Sequence, residues 1–210
     1  MDEKQIARAL LARHGRTFSE DAGISLEDKP SPLWQLLVLS LLLSARISAD
    51  IAVAAARELF QAGYRTPQKM RDATWQQRVD ALGRGHYRRY DERTSTQLGE
   101  LADAVLSDYG GDLRSMRGSS VAELEKRLQR FKGIGPTGAA IFCREVQGVW
   151  RHVAPYVDKR AADGAERLGL PRSAERLAAL VCADDLPRLV AGCVRAASDK
   201  DLVADLRSSS

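Results

Sequence analysis

The sequence predicts an all-α fold, on three observations. Apolar residues recur at spacings of three and four, as at Leu124, Leu128 and Phe131, which gathers them on one helical face. Helix-start and helix-stop residues punctuate the chain at short intervals. No stretch alternates apolar and polar residues with the period of two that a half-buried strand needs.

The elements follow in order. Gln5 to Leu11 forms a first amphipathic helix, stopped at His14-Gly15. Ser31-Pro32 opens a second, with proline in the first turn where its missing N–H costs nothing. Its body, Leu33 to Ala45, is the most apolar part of the chain. Gln35, Ser40 and Ser44 interrupt it, so it reads as a buried core helix and not a membrane span. Ser48 caps a helix running to about Phe60, and Thr66-Pro67 starts a short one. Thr74 and Gln77 have capping-box spacing. Gly83 and Gly85 break the chain into a loop, and Thr94 to Tyr109 is a long helix ended by Gly110-Gly111. Ser120 and Glu123 cap the next helix. Asp158 to Leu168 is closed by Gly169 and Pro171; Ser173 to Cys182 and Leu186 to Ala197 complete the fold before a frayed Ser208-Ser209-Ser210.

A chain of 210 residues can bury a sizeable core as one large domain or two small ones. The excess of Lys and Arg (32) over Asp and Glu (28) gives a net charge of +4. That permits a polyanionic partner without demanding one. Its distribution says more, because Arg84, Arg88, Arg89 and Arg93 cluster. Met1-Asp2-Glu3-Lys4 lacks a signal peptide's apolar stretch, so a cytoplasmic location is expected, with no membrane association. Three cysteines without a C-x-x-C pair, Cys143, Cys182 and Cys193, argue against a disulfide framework and read as small core residues. His86 and His152 lack metal-ligand spacing, so no metal site is expected. Trp34, Trp75 and Trp150 are expected in the core.

One stretch stands apart: Phe131-Lys132-Gly133-Ile134-Gly135-Pro136-Thr137-Gly138-Ala139-Ala140. A Gly-Ile-Gly turn between two helical patterns lets the helices meet closely. It also leaves backbone N–H groups of the turn and of the next helix start pointing outward. Such groups, with the helix dipole, favour an anion, and for a basic protein the natural anion is a nucleic-acid phosphate. One helix further on lies Val157-Asp158-Lys159-Arg160. As a preferred N-cap residue, Asp158 has a purely structural reading as well.

Together, the Gly133 to Thr137 hairpin and Asp158 resemble the helix-hairpin-helix (HhH-GPD) base-excision DNA glycosylases of the endonuclease III superfamily, over roughly Pro32 to Pro171. The resemblance implies a two-lobed fold. A six-helix middle domain, 30–150, would end in the hairpin, and residues 1–29 with 151–210 would form a second helical domain. It makes Asp158 the catalytic carboxylate, supporting the positive charge that builds on deoxyribose as the base–sugar bond breaks. Gly133, Ile134, Gly135 and Thr137 would hold DNA. Leu42-Leu43-Ser44-Ala45-Arg46 resembles the family's helix end whose last residue fills the gap left by an extruded base, a role falling here to Arg46. The basic, aromatic loop around Gly83-Arg84-Gly85-His86-Tyr87 would supply the wedge, Arg84 or Tyr87.

Two departures matter. Where bifunctional members carry a Schiff-base lysine, this chain has Thr137, which forms no imine, so a monofunctional enzyme without lyase activity is implied. Lys132 and Lys159 flank the site but are read as phosphate contacts or solvated residues. Many relatives bind an iron–sulfur cluster through four cysteines, and three cannot build one. No cofactor is therefore expected, although the hairpin carbonyls could hold a monovalent cation. The partner implied is double-stranded DNA with a damaged or mismatched base, bound by a monomer, associated with the nucleoid if the source is bacterial. Ile141 to Pro155 resembles the mismatch thymine/uracil branch only loosely, and base identity stays open. The alternative is a non-catalytic helix-hairpin-helix protein that recognises damaged or bent DNA, with Asp158 only a cap.

Overall fold

The computed structural model describes residues 2–118 and 120–208, without the side chains of 207 and 208. Among these residues it is helical throughout, with no strand. The order is α1 (Glu3–His14), α2 (Phe18–Asp21), α3 (Pro30–Leu43), α4 (Ala49–Gln61), α5 (Pro67–Asp72), α6 (Trp75–Arg84) and α7 (Asp91–Tyr109). There follow α8 (Val121–Leu128), α9 (Pro136–Val146), α10 (Lys159–Arg167), α11 (Ala174–Ala178), α12 (Leu186–Ala196) and α13 (Lys200–Ser208). Two 3-10 turns, Leu113–Met116 and Arg151–Val153, lie between. None of the described helices is long and apolar enough to cross a membrane.

The expected caps are present. Ser48, Thr66, Thr74, Ser120, Asp158 and Ser173 each accept a hydrogen bond from a backbone N–H three residues on, filling a donor the helix cannot. Several boundaries move. α6 runs through Gly83 to Arg84, so the loop starts only at Gly85. There a Cβ would stand 2.4 Å from the Ala55 Cα, because α4 passes against the chain. α7 starts at Asp91, three residues earlier than expected, with Asp91 and Glu92 favourably placed in its first turn. α11 stops at Ala178, well before Cys182. α2, α13 and both 3-10 turns have no counterpart in the sequence reading. Trp75 is no core residue: it is exposed and its Nε1 donates to Thr96 Oγ1. Ser209 and Ser210 lie outside the described residues.

α3 is the axis. From Leu33 to Leu42 every residue is buried, and α4, α9 and the 3-10 turn at Leu113 pack around it. α4 continues onto α6, and α5 and α6 rest on α7. A second group forms where α12 meets α1, α10 and α13, and α12 also touches α9. One continuous apolar core runs from Ala7 to Leu206. Glu145 ties the N-terminal segment to α9: its buried carboxylate accepts from Phe18 N (3.2 Å) and Ser19 N (2.9 Å). Burial holds that carboxyl above its ordinary range.

The tightest approach is α10 on α12. α10 buries only Ala161, Ala162, Gly164 and Ala165. A Cβ on Gly164 would lie 1.8 Å from the Cys193 carbonyl oxygen. Gly164→Ala should therefore force α10 off α12 and destabilise the protein by about 1–3 kcal/mol or more. The readout is a lower urea midpoint at unchanged m-value.

Candidate active site

α9 divides its surface between core and cleft. Ala139, Phe142, Cys143 and Val146 face the core. Thr137, Ala140, Ile141 and Arg144, on the adjoining face, line an open cleft of about 1010 Å³. The start of α10 forms the opposite wall with Asp158, Lys159 and Asp163, and the α3–α4 connection closes a third side. The cleft thus brings together Asp158, Thr137, Lys159 and Arg46.

Asp158 caps α10, its Oδ1 accepting from Ala161 N at 3.1 Å, so the carboxylate sits at the positive end of a helix dipole. It is also paired. Arg144 Nη1 lies 3.4 Å from Oδ1 and 3.3 Å from Oδ2, with the arginine side chain 6% exposed and that of Asp158 17%. The stretch leading into Asp158 is clamped to α9 by Gln147, whose Nε2 donates to the carbonyls of Arg144 (2.9 Å) and Tyr156 (3.0 Å) and whose Oε1 accepts from Tyr156 N (2.9 Å). Tyr156 in turn donates its hydroxyl to Glu125 on α8. Burial first, then that acidic partner, drive the phenol's pKa far above the usual range, so it stays protonated.

The hairpin departs from expectation in detail. Gly133 takes a left-handed φ of +93°. Ile134 is buried, and its N–H donates to the Phe131 carbonyl at 3.0 Å, so this residue is core and offers neither side chain nor N–H to a ligand. The open part is one step on. Gly135 caps α9 in extended backbone with no side-chain cap bond, and Pro136 follows. The N–H groups of the first turn therefore face outward beside Thr137. A Cβ on Gly135 would meet nothing within 4 Å.

Arg46 is the exposed centre of a three-residue turn closed by Ile47 N donating to the Ala45 carbonyl at 2.8 Å. No described residue pairs with its guanidinium. Neither loop residue expected as the wedge is free for that task. Tyr87 is 1% exposed, and its ring is locked in the core beside Thr94 Oγ1. Arg84 belongs to α6, outside the cleft, and pairs with Glu58 on α4 at 3.0 Å. The exposed ring at the loop tip is His86, held at a φ of +63° that L-residues avoid.

Both flanking lysines are engaged with carboxylates: Lys132 Nζ with Glu100 Oε1 and Lys159 Nζ with Asp163 Oδ2, each at 2.7 Å. The three cysteines lie in different parts of the fold. Cys143 and Cys193 are buried in α9 and α12, where burial raises both thiols, Cys193 to about 12, and Cys182 stands exposed beside Asp185. Sequence reasoning missed Arg144, Gln147 and His86. The polar residues 144, 145 and 147 at the end of a largely apolar helix were the available signal for the first two.

No protein-family model and no curated protein sequence matches the chain. Among solved structures, a non-covalent endonuclease III–DNA complex superposes over 93% of this chain and 85% of that one, with a TM-score of 0.51 at 17% identity. The chain has the endonuclease III fold. A trapped endonuclease III–DNA covalent intermediate, the estranged-adenine complex, aligns over 93% and 86% at TM-score 0.49 and 17% identity. At such identity the endonuclease III fold fixes where helices lie, and chemistry must be argued from the side chains in the cleft.

The Gln147 clamp is the part of this site most open to a direct check. Gln147→Ala should leave the Tyr156 and Arg144 backbone groups unpaired in a buried place, costing about 1–3 kcal/mol. Chemical denaturation reads that loss, and faster amide exchange at 156–161 should accompany it.

Proposed function

We propose that this protein is a monofunctional DNA glycosylase of the endonuclease III superfamily, extruding a damaged or mismatched base and hydrolysing its N-glycosidic bond with Asp158. The observation that carries the reading is the convergence, in one cleft, of the fixed Asp158 carboxylate, the uncapped start of α9 and an unpaired Arg46.

Each part has a task on this reading. The α9 N-terminus and Thr137 receive a backbone phosphate. Arg46 enters the gap left by the extruded nucleotide, and His86, not Tyr87, is the ring that reaches the stack. Asp158 faces C1′, stabilising oxocarbenium-like charge and orienting the water that attacks it. Strand cleavage has no nucleophile: Thr137 forms no imine, and Lys132 and Lys159 are each engaged with a carboxylate. The reading as a non-catalytic DNA binder draws on the Arg144 contact, since a buried guanidinium offsets part of the negative charge that the chemistry needs.

Duplexes each carrying one lesion (uracil, thymine opposite guanine, an alkylated purine or an oxidised base) separate the two. The glycosylase reading expects strand breaks only after hot alkali with at least one lesion, no borohydride-trapped adduct, and loss of release in Asp158→Asn at undiminished affinity. Binding without release from any of them would favour the binder. In a second test, Gly135→Val should keep its melting temperature, because the site is open and the backbone extended. It should weaken binding to every duplex alike by blocking approach to the α9 N-terminus.

A further inference from the structure

Arg144 lies on the cleft face of α9 with more donors than the protein uses. Its side chain is 6% exposed, and its guanidinium presents N–H groups at Nε, Nη1 and Nη2. Among the described residues only Nη1 meets a side-chain acceptor, the Asp158 carboxylate, at 3.3 and 3.4 Å. Both distances exceed the usual N–H···O bond, and one nitrogen serves both oxygens where a fork would use two. The neighbouring carboxylate, Glu145, is engaged with Phe18 N and Ser19 N. Buried donors are seldom left idle. Nor are the spare Nε and Nη2 groups sealed in the core. Among the described residues, the fully buried side-chain polar atoms without a partner are Ser19 Oγ and Glu100 Oε2, whereas Arg144 lines the cleft. A nearly buried cation thus holds unused donors beside the carboxylate that would face C1′.

Position along α9 says what those donors meet. A phosphate at the helix start would lie beside Thr137. Arg144 stands about two turns further along the helix, roughly 10 Å at 1.5 Å per residue, next to Asp158. The acceptor that suits it therefore belongs to the extruded base and not to the strand. That acceptor must also sit close to the reacting bond, since Arg144 and Asp158 are neighbours. In a pyrimidine the O2 carbonyl is on the ring atom next to the glycosidic nitrogen. In an unoxidised purine that nitrogen is flanked by C4 and C8, and neither carries an oxygen. We propose that Arg144 is a second catalytic residue, donating to O2 of an extruded uracil-type pyrimidine and taking up the negative charge of the departing base. The inference rests on the glycosylase reading above. As the C1′–N1 bond breaks, its electron pair leaves with the base and spreads over N1 and O2. Water forms the new bond at C1′; its proton passes to Asp158 and on to solvent, from which the base anion is reprotonated. A preplaced guanidinium stabilises charge that exists only as the bond breaks. The conflict with Asp158 is resolved in the same step: the arginine's charge is matched by the base, and the carboxylate's field is left to the sugar. An N-alkylated purine gains nothing here, because it enters as a cation that the guanidinium repels and departs neutral.

Single-turnover rates of base release are measured for duplexes carrying one uracil, 5-fluorouracil, thymine glycol, hypoxanthine, 8-oxoguanine or 7-methylguanine. The proteins are the wild type, Arg144→Gln and Arg144→Lys. Urea midpoints check that each variant is folded, and affinity for a duplex with a tetrahydrofuran abasic analogue checks DNA binding. Fluorine steadies the departing anion by itself, so 5-fluorouracil relies less on the protein. The wild type should release both uracils. Arg144→Gln should slow uracil by about 10²–10³-fold, the scale of one lost donor to a developing anion, and 5-fluorouracil by a factor about tenfold smaller. Arg144→Lys keeps a charged donor and should recover part of the uracil rate. Abasic affinity should change by no more than about twofold in either variant, because the residue does not hold the strand. A residue that only positioned Asp158 would slow the two uracils by one common factor. That result, unchanged rates, or a wild type that releases other bases but neither uracil overturns this inference alone. The last of these needs no variant to fold. A wild type that releases no base from any duplex overturns the glycosylase reading and this inference with it.

Discussion

Burial of α3 on all sides is the constraint on which the molecule depends. A helix of this apolarity cannot face water, so α4, α9 and the Leu113 turn must cover it. That cover places the hairpin directly against the C-terminal half of α3. There the Gly133 backbone passes the Leu41 side chain so closely that a Cβ would stand 3.0 Å from it. Where α3 ends, the chain emerges as the Ser44–Ile47 turn on the wall of the cleft. The position of Arg46 is thus a by-product of core packing and does not rely on any contact the arginine makes itself.

Asp158 is held by a different logic. Its own helix, α10, is polar and short, and has little apolar surface with which to anchor itself. Small residues substitute for large ones: Gly164 and its alanine neighbours let α10 lie against α12 at backbone contact distance. Gln147 fixes the entering chain, the Ala161 N–H fixes one carboxylate oxygen, and Arg144 approaches both. A buried arginine beside a candidate catalytic carboxylate restrains its orientation and at the same time tempers its field. Whichever effect is larger, the pair acts as a unit.

Local signals were legible and long-range ones were not. Asp158, Ser48 and Ser120 announce helix starts because an N-cap is a local chemical event, and the Gly-Ile-Gly turn announces itself because few sequences tolerate that backbone. The assignment of Tyr87 to a surface role failed because an aromatic in a basic loop looks the same whether its ring turns in or out. Only the packing of α6 and α7 decides. Ile134 failed for the same reason, since a hydrophobic residue between two glycines can serve as a turn residue or as a plug. Arg144 was invisible as a partner of Asp158 because the two stand fourteen positions apart and the chain between them had to fold before they met.

Gly85 has a mechanical consequence. With no side chain, it lets the loop tip sit directly on the α4 backbone, and the Arg84–Glu58 pair adds a second fastening to the same helix. α4 begins only three residues after Arg46. His86 and Arg46 are therefore both carried by one helix, the loop tip seated against its middle and Arg46 just ahead of its start. A clamp that does not flex transfers the work of fitting to whatever it grips. For a double helix that work is least where stacking or pairing is already impaired, so stiffness in the protein would itself become a gauge of softness in its partner.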